Sequence, residues 1–285
     1  MAGQARRRLD AELVRRGLAR SREQAVELIA AGRVSVAGQA AGKPATQVET
    51  SAAIVVAADA DGVADDYVSR GAHKLAGALA AFEPRGLVVA GRRCLDAGAS
   101  TGGFTDVLLR AGAKQVVAVD VGYGQLAWRL RTDPRVVVVD RTNVRELTLN
   151  RIGGQSVELL VGDLSFISLT LVLPALVRCA APDADFALMV KPQFEVGRER
   201  LGSGGVVRDP ALHAEAVRTV AAAARAQGLG VLGVTASPLP GPSGNVEYFL
   251  WLRAGAPPLD DTDLARAVAE GPAGTAPPHR EEERT

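Results

Sequence analysis

Apolar and polar positions follow two different spacings along this chain. Up to about residue 90, apolar residues recur at intervals of three and four, which predicts two helices within 6–33 and a third over 72–82. Short apolar runs at 34–36 and 54–56 predict strands that follow the first two helices. The N-terminal part therefore has the pattern of a small α+β unit.

Beyond residue 90 the pattern changes to short apolar runs that alternate with helical segments. The predicted strands lie at 92–97, 115–120, 136–140, 157–163, 185–191, 229–236 and 246–253. The predicted helices lie at 103–111, 124–131, 168–179 and 209–227. Such alternation is typical of an α/β domain whose parallel sheet is covered by helices on both faces. Because only a loop separates the last two strands, we expect the final strand to run antiparallel.

Composition narrows the class of protein. With 285 residues and 47% hydrophobic content, the chain can bury a sizeable core in one or two domains. The sequence shows neither an apolar leader segment nor a run of about 20 apolar residues, so we expect a soluble cytoplasmic protein without membrane contact. Cys94 and Cys179 lie in apolar surroundings and the three histidines lack ligand spacing, so we expect neither a disulfide nor a metal site.

Charge is unevenly distributed along the chain. The net charge is +1, yet residues 1–33 carry eight arginines and only four acidic residues. This excess favours a module that binds a polyanion, although a solvated helix face would have the same composition. The arginines that we expect to contact phosphates are Arg6, Arg7, Arg15, Arg16, Arg20, Arg22 and Arg33.

The same segment resembles the S4 RNA-binding domain over about residues 6–58. The resemblance rests on Arg-Leu-Asp at 8–10, then a helix, then Ser21-Arg22-x-x-Ala25-x-x-Leu28-Ile29-x-x-Gly32-Arg33-Val34-x-Val36-x-Gly38. It implies a domain that reads the shape and backbone of RNA more than its base edges. We predict an S4-like domain at 1–60, a linker at 61–70, an α/β domain at 71–256 and a disordered tail at 257–285.

A glycine-rich turn joins the first long strand to a helix. It departs from the G-x-G-x-x-G spacing of dinucleotide sites. An acidic residue at a strand end followed by a loose G-x-x-x-G resembles the first motif of Rossmann-like methyltransferases, which bind S-adenosylmethionine. A tight turn that binds nothing would also use these glycines. The candidate cofactor residues in the turn are Asp96, Gly98, Ser100, Thr101, Gly102 and Gly103.

Two further strand ends carry candidate cofactor residues. Asp120 ends the second strand of the α/β pattern and Val121 follows it; an acidic side chain at this position can accept hydrogen bonds from both ribose hydroxyls. Asp140 ends the third predicted strand and Asn143 lies just beyond it, and both could contact an adenine. A role in an ordinary surface loop stays open for all four residues.

Lysine is rare in this chain, and one lysine ends an apolar strand. Of 33 basic residues only four are lysine, and Lys191 directly follows the apolar run 188–190. Arginine keeps its proton at any working pH, whereas a lysine that is buried or near other cations can release it and act as a base. Asp163 ends the preceding strand and belongs to the same sheet edge. A purely structural, ion-paired lysine is the alternative.

Two more charged residues complete a candidate catalytic set. Lys74 lies on the helix before the first long strand, and Glu247 interrupts an apolar strand, where a carboxylate requires a cationic partner. In sequence order, Lys74, Asp163, Lys191 and Glu247 match the K-D-K-E set of FtsJ-like ribose 2′-O-methyltransferases. With the S4-like segment in front, the chain to about residue 254 resembles the TlyA family.

Six strings carry the resemblance to this family. They are Ser-Arg-Gly at 69–71, Leu-Asp-Ala-Gly-Ala-Ser-Thr-Gly-Gly-Phe-Thr at 95–105, Asp-Val-Gly-Tyr-Gly-Gln-Leu at 120–126, Asp-Leu-Ser-Phe-Ile-Ser at 163–168, Lys-Pro-Gln-Phe-Glu at 191–195 and Ser-Pro-Leu-Pro-Gly-Pro-x-Gly-Asn-x-Glu at 237–247. One departure lies in the linker, where some members have Arg-x-Trp-Val and this chain has Asp65-Asp66-Tyr67-Val68.

The resemblance implies a fold, a reaction and a partner. The fold would be a Rossmann-like methyltransferase with a seven-stranded, mostly parallel sheet, and the cofactor S-adenosylmethionine. The substrate would be the 2′-hydroxyl of cytidines in 16S rRNA, 23S rRNA or both, within ribosomal subunits. In this hypothesis Lys191 is the general base, Asp163 orients it, and Glu247 holds Lys74 beside the ribose.

Three other interpretations stay open at this stage. The chain could be an RNA-binding ribosome assembly factor without catalysis, a haemolysin-like protein, or a methyltransferase for proteins or small molecules. The complete four-residue set argues against the first interpretation. The absence of an apolar span argues against the second, and the S4-like segment against the third.

Overall fold

The computed structural model describes residues 6–16, 18–19, 21–30, 32–50, 52–56, 67–241 and 243–271. The chain divides into two compact units, Met1–Asp66 and Tyr67–Thr285. Most of the linker predicted at 61–70 falls outside the described residues.

The N-terminal unit packs two helices against short antiparallel strands. Its elements are β1 (Arg6–Arg8), α1 (Leu9–Arg15), α2 (Arg22–Ala30), β2 (Val34–Val36), β3 (Gln39–Ala40), β4 (Gln47–Glu49) and β5 (Ile54–Val56). β1 pairs with β4, while β3, β2 and β5 form a second sheet. Apolar residues of α1, α2 and β2 form the core, and both helices and the two strands expected here are confirmed. The sequence pattern misses β1, β3 and β4 because they are very short and mostly polar.

The C-terminal unit is built on a seven-stranded sheet. Its strands are β6 (Arg93–Ala97), β7 (Gln115–Val119), β8 (Val136–Val139), β9 (Val157–Gly162), β10 (Ala180–Val190), β11 (Leu229–Ala236) and β12 (Tyr248–Ala254). Their order across the sheet is β11-β12-β10-β9-β6-β7-β8. All neighbours are parallel except β12, which runs antiparallel to β10 and β11. The mostly parallel sheet and its antiparallel final strand are therefore confirmed.

Helices cover both faces of this sheet, as the alternating pattern predicts. They are α3 (Gly71–Phe82), α4 (Gly103–Arg110), α5 (Trp128–Arg131), α6 (Leu169–Cys179), α7 (Pro192–Glu195), α8 (Pro210–Ala226) and α9 (Asp261–Glu270). Buried residues of α6, α8 and α9 form the core on one face, and those of α3 and α4 form it on the other. The central strands contact both cores, which is why their sequences are continuous apolar runs.

The helix predicted at 124–131 is much shorter in the structure. Only Trp128–Arg131 is helical. Gly124 has a φ of +68°, and its amide donates a hydrogen bond of 3.2 Å to Oδ2 of Asp140. A residue with this left-handed φ cannot itself lie within a right-handed helix, so the helix predicted from residue 124 cannot include Gly124 and begins at Trp128.

The prediction of a disordered tail over 257–285 is wrong for residues 261–270, which form α9. Asp260 caps this helix by accepting hydrogen bonds from the amides of Thr262 and Asp263. Leu264 and Val268 are buried in the core beneath α8 and β11, so the helix belongs to the C-terminal unit. Residues 272–285 of the predicted tail lie outside the described residues.

Candidate active site

The carboxyl ends of β9 and β10 lie side by side and bring Asp163 next to Lys191. Each residue directly follows its strand, and the two strands are parallel neighbours. The Nζ of Lys191 lies 2.6 Å from Oδ1 of Asp163. It also donates a hydrogen bond of 2.9 Å to Oγ of Ser165. The lysine expected at this sheet edge is therefore held by a carboxylate and a hydroxyl.

A second ion pair joins two distant parts of the sequence at the same edge. Lys74 lies on α3, and Glu247 directly precedes β12. The Nζ of Lys74 lies 2.5 Å from Oε2 of Glu247, while Oε1 of that carboxylate lies 4.0 Å from Nζ of Lys191. The structure thus brings all four predicted catalytic residues together, with positive and negative side chains in alternation.

The four-residue cluster is enclosed, although not equally on all sides. The side chains of Lys74 and Lys191 are each 8% exposed and that of Glu247 is not exposed, whereas that of Asp163 is 24% exposed. Two positive and two negative charges balance within the cluster, which is how buried ions are tolerated. Asp163, the partner of Lys191, is therefore the member of the cluster that solvent and ligands reach most readily.

The glycine turn packs directly against this cluster. Gly98 and Gly102 have φ angles of +84° and +99°, and Ser100, at +49°, is a rare non-glycine residue in the same region. A Cβ on Gly98 would lie 2.8 Å from the carbonyl oxygen of Asp163. The carbonyl of Thr101 accepts a hydrogen bond of 3.1 Å from the amide of Ala127. The backbone of Asp163 is therefore too close to Gly98 for any residue with a side chain at that position.

Asp120 connects the glycine turn to the loop after β7. Its Oδ2 accepts a hydrogen bond of 2.8 Å from the amide of Ser100, and its Oδ1 one of 2.7 Å from the amide of Gly122. Val121 is 76% exposed on the same loop. Asp120, the candidate contact for the ribose, therefore lies against the glycine turn, which the sequence analysis assigned to the same cofactor.

The two adenine candidates differ in their surroundings. Asp140 accepts hydrogen bonds from the amide of Gly124 and from Arg131, at 3.2 Å and 3.1 Å. The side chain of Asn143 accepts a hydrogen bond of 3.1 Å from the amide of Arg145 and caps a short 3₁₀ turn. Asp140 is thus tied to the loop after β7, whereas Asn143 already has a local structural role.

Asp96 is a fully buried carboxylate at the end of β6. Its Oδ2 accepts a hydrogen bond of 2.7 Å from Oγ1 of Thr105. Within the described residues its buried Oδ1 accepts no hydrogen bond. The pKa of Asp96 is raised to about 7, chiefly by burial. The negative charges of Asp163 and Asp120 contribute to this rise, and hydrogen bonds from Thr105 oppose it. Such a group would gain a partner if a cationic ligand bound beside it.

The sequence reasoning missed an aromatic side chain at the mouth of the cluster. Phe166 follows Ser165, has a φ of +63° and is 92% exposed. Its ring lies 5.4 Å from that of Phe194, whose own ring is 5.9 Å from Nζ of Lys191. An exposed phenylalanine loses hydrophobic stabilisation, so its position suggests a contact with a ligand. The sequence signal that could have identified Phe166 is its place in the string Asp-Leu-Ser-Phe, directly after β9.

Several arginines of the N-terminal unit bind buried carboxylates of their own unit. Arg15 and Arg16 contact Glu12 at 2.6 Å and 2.7 Å, and Arg22 contacts Asp10 at 2.9 Å. These hydrogen bonds hold the pKa of both carboxyls well below the ordinary range, that of Asp10 chiefly through Arg8.

The remaining candidate phosphate contacts have different settings. Arg6 and Arg7 lie on the exposed strand β1, and Arg6 reaches Glu49 at 3.4 Å. Arg33 is half-buried, and Arg20 lies outside the described residues. Arg6 and Arg7 therefore lie on an exposed strand, where a phosphate can reach their side chains.

Sequence patterns of two families match the two units. The S4 domain pattern matches residues 7–54, and the FtsJ-like methyltransferase pattern matches residues 67–254. The N-terminal match runs from within β1 to the first residue of β5, and the longer match covers the glycine turn and all four residues of the cluster.

A relative of high sequence identity shows to which family of FtsJ-like methyltransferases the chain belongs. The 16S/23S rRNA (cytidine-2′-O)-methyltransferase TlyA of Mycobacterium tuberculosis is 62% identical over 273 residues, which span 94% of this chain and 99% of that protein. The chain belongs to the TlyA family of FtsJ-like methyltransferases. The resemblance predicted from the motif strings is thereby confirmed.

Other proteins similar to this chain carry different names. YqxC of Bacillus subtilis is 44% identical, with 86% of this chain and 85% of that protein covered. A solved structure from Streptococcus thermophilus, named as a hemolysin, is 38% identical with a TM-score of 0.74 and covers 94% of this chain and 96% of its own. In the part of this chain that the structure describes, every helix is too short or too polar to span a bilayer.

Proposed function

We propose that this family member transfers a methyl group from S-adenosylmethionine to the 2′-hydroxyl of a cytidine in 16S rRNA, 23S rRNA or both. The observation that carries the proposal is the cluster of Lys74, Asp163, Lys191 and Glu247 packed against the glycine turn. The relative with 62% identity bears the name of this reaction. A substrate in ribosomal subunits would place the enzyme in the cytoplasm.

The residues around the turn fit S-adenosylmethionine. Gly98 and Gly102 keep the backbone open to a ligand, and the buried Oδ1 of Asp96 has the charge to accept a hydrogen bond from the amino group of the methionine part. Asp120 and Asp140 would serve the ribose and the adenine, with Ser100, Thr101, Gly103, Val121 and Asn143 as further neighbours. When bound, the cofactor supplies the electrophilic methyl group.

The base is assigned to Lys191 rather than to Lys74. Lys74 contacts a carboxylate that has no exposed surface, whereas the partner of Lys191, Asp163, is partly exposed. A ribose hydroxyl can therefore reach Lys191 more readily. The neutral amine of Lys191 would accept the hydroxyl proton as the oxygen attacks the methyl group, and Asp163 would fix the direction of Nζ.

Two features favour RNA as the substrate. The S4 domain pattern covers the N-terminal unit, where Arg6 and Arg7 lie on an exposed strand. At the other unit, the exposed ring of Phe166 lies beside Ser165, the hydroxyl partner of Lys191. Unstacked bases commonly pack on such exposed aromatic rings. A nucleotide whose base packs on Phe166 would have its ribose near the cluster.

The decisive experiment measures methyl transfer to purified ribosomal subunits. Small and large subunits from cells that lack the gene would be incubated with enzyme and tritium-labelled S-adenosylmethionine. Primer extension at low nucleotide concentration would then locate any ribose stop. Wild type should label one or both subunits, and Lys191→Ala should not. Lys114→Ala, an exposed lysine at the opposite end of the sheet, is the matched control.

Two outcomes would contradict the proposal, and a third would contradict only its base assignment. The first is cofactor binding by the wild type without transfer to either subunit. The second is label on a base rather than on a ribose. The third is near-normal turnover of Lys191→Ala, which would remove the base assignment alone. Leakage from lipid vesicles without any methyl transfer would instead favour a haemolytic function, which the names of some relatives suggest.

A further inference from the structure

Asp106 is a buried carboxylate outside the four-residue cluster. It lies in the first turn of α4, and its side chain is 7% exposed. Its Oδ2 accepts hydrogen bonds from the amide of Val68 at 3.0 Å and from Arg129 at 2.8 Å. Its Oδ1 accepts one of 3.0 Å from Nε of Arg110. One side chain thus receives donors from three separate segments.

Each of these segments leads to a different part of the proposed site. Val68 belongs to the short segment before α3, the helix that carries Lys74. Asp106 itself lies on α4, which begins at Gly103 of the glycine turn. Arg129 lies on α5, directly after the loop that Asp120 connects to Ser100. Asp106 therefore joins the cofactor turn, the loop after β7 and the start of the Lys74 helix.

Close packing around Asp106 reinforces this junction. A Cβ on Gly103 would lie 2.8 Å from the amide nitrogen of Ala72 and would collide with Oγ of Ser69. The guanidinium of Arg110 lies 4.4 Å from the ring centre of Tyr67. The start of α3 is therefore pressed against α4, so a shift of one helix must move the other.

We infer that Asp106 is a positioning residue that fixes the cofactor turn and the Lys74 helix in one arrangement. This inference rests on the proposed function, because it assigns S-adenosylmethionine to the turn. An aspartate can accept from Val68, Arg110 and Arg129 together, whereas an asparagine has one acceptor oxygen and would present an amide group to an arginine. Loss of the negative charge of Asp106 should therefore weaken the packing of α5 and of the start of α3 against the glycine turn.

The test compares Asp106→Asn and Asp106→Ala with Asp133→Asn. Asp133 is a matched control because it also lies beside α5 and pairs with an arginine, Arg135 at 2.7 Å. Binding of S-adenosylmethionine would be measured by calorimetry, and kcat and KM on ribosomal subunits by methyl transfer. We expect Asp106→Asn to raise the Kd about tenfold and Asp106→Ala to raise it more, since couplings between sites are commonly of this size. Asp133→Asn should leave the Kd unchanged.

Calorimetry separates positioning from loss of folding. Unfolded molecules lower the number of binding sites per chain, whereas a displaced turn raises the Kd of the sites that remain. A lowered site number with an unchanged Kd in Asp106→Asn would overturn the inference, and so would unchanged binding. The proposed function is judged independently, by cofactor binding and methyl transfer of the wild type.

Discussion

The ammonium group of Lys74 lies 2.5 Å from the carboxylate of Glu247, a residue 173 positions later in the chain. Both side chains are almost completely buried. The same carboxylate lies 4.0 Å from Nζ of Lys191. Glu247 is therefore the shared anion that allows two lysines to lie in one enclosed site.

Removal of this anion should destabilise the C-terminal unit as well as inactivate it. Glu247→Ala leaves Lys74 buried without its partner, which costs about 3–5 kcal/mol in comparable buried pairs. We expect the free energy of unfolding to fall by about this amount in urea titrations and methyl transfer to be lost.

A double variant separates the two effects. In Lys74→Met with Glu247→Leu both charges are gone, and replacement of a buried ion pair by apolar residues is often neutral. Stability should recover while activity stays absent. Recovery of activity together with stability would show that the pair serves only the fold.

The stability of the protein should depend on pH through Asp96. Burial raises the pKa of Asp96 from 3.8 to about 7, so between these values the folded protein holds a proton that the unfolded chain releases. The free energy of unfolding contributed by Asp96 therefore falls as pH rises from about 4 to about 7, by up to roughly 4 kcal/mol.

Asp96→Asn should remove this pH dependence, so its stability relative to wild type should be greater at pH 8 than at pH 4. Urea titrations across this range would measure the difference. Asp133→Asn is the control, because Arg135 lowers the pKa of Asp133 and places its titration below the range. An equal stability difference at both pH values would argue that the Asp96 carboxyl is ionised throughout.

Gly98→Ala should abolish cofactor binding at a moderate loss of stability. The new Cβ would lie 2.8 Å from the carbonyl oxygen of Asp163, and the φ of +84° is strained for alanine. Gly86→Ala is a matched control, because Gly86 has a φ of +105° but open space around its Cβ position. The backbone strain alone costs about 1–2 kcal/mol. Calorimetric binding of S-adenosylmethionine should be lost only in Gly98→Ala.

Phe166→Ala should affect the RNA substrate and leave the cofactor site intact. Stacking of a base on an aromatic ring contributes about 1–3 kcal/mol, so the KM or the kcat for ribosomal subunits should worsen by about 5- to 150-fold. The Kd for S-adenosylmethionine should not change. Val88→Ala, another exposed apolar residue, is the control for general surface effects. Equal activity of the two variants would exclude a role for the Phe166 ring.

Two arginines of the N-terminal unit should respond differently to alanine substitution. Arg16 donates hydrogen bonds to Glu12 and to the carbonyl oxygens of Ala52 and Thr50, at 2.7 Å, 2.7 Å and 2.8 Å. Arg16→Ala should therefore lower thermal stability. Arg7 lies on exposed β1, so Arg7→Ala should leave stability unchanged and weaken subunit binding with a smaller salt dependence. Melting curves and filter binding at two salt concentrations would measure both.

The contrast between Lys191 and Arg16 shows what the sequence could and could not predict. Lys191 and Asp163 each end an apolar run, and parallel strands bring such ends to one edge, so periodicity alone predicted their proximity. The hydrogen bonds of Arg16 go partly to backbone carbonyls of a distant loop. Every residue type has a backbone carbonyl, so the sequence does not reveal which ones Arg16 contacts.

The remaining differences have similar physical causes. The contact of Lys74 with Glu247 was expected from the family resemblance, because no local pattern links residues so far apart. α9 was missed because its polar face and the neighbouring prolines resemble a tail, while its burial depends on α8 and β11. Gly124 and Asp140 shorten α5 through a tertiary hydrogen bond that propensity does not include.

The position of β12 between β10 and β11 has a consequence for biosynthesis. The N-terminus of a nascent chain emerges from the ribosome first. The S4-type unit can therefore fold while the seven-stranded sheet still lacks its inner strand β12. The anion shared by both lysines emerges only with residue 247, after β1 to β11 have been synthesised. Nascent chains released before that residue would retain the RNA-binding module and have no methylating centre.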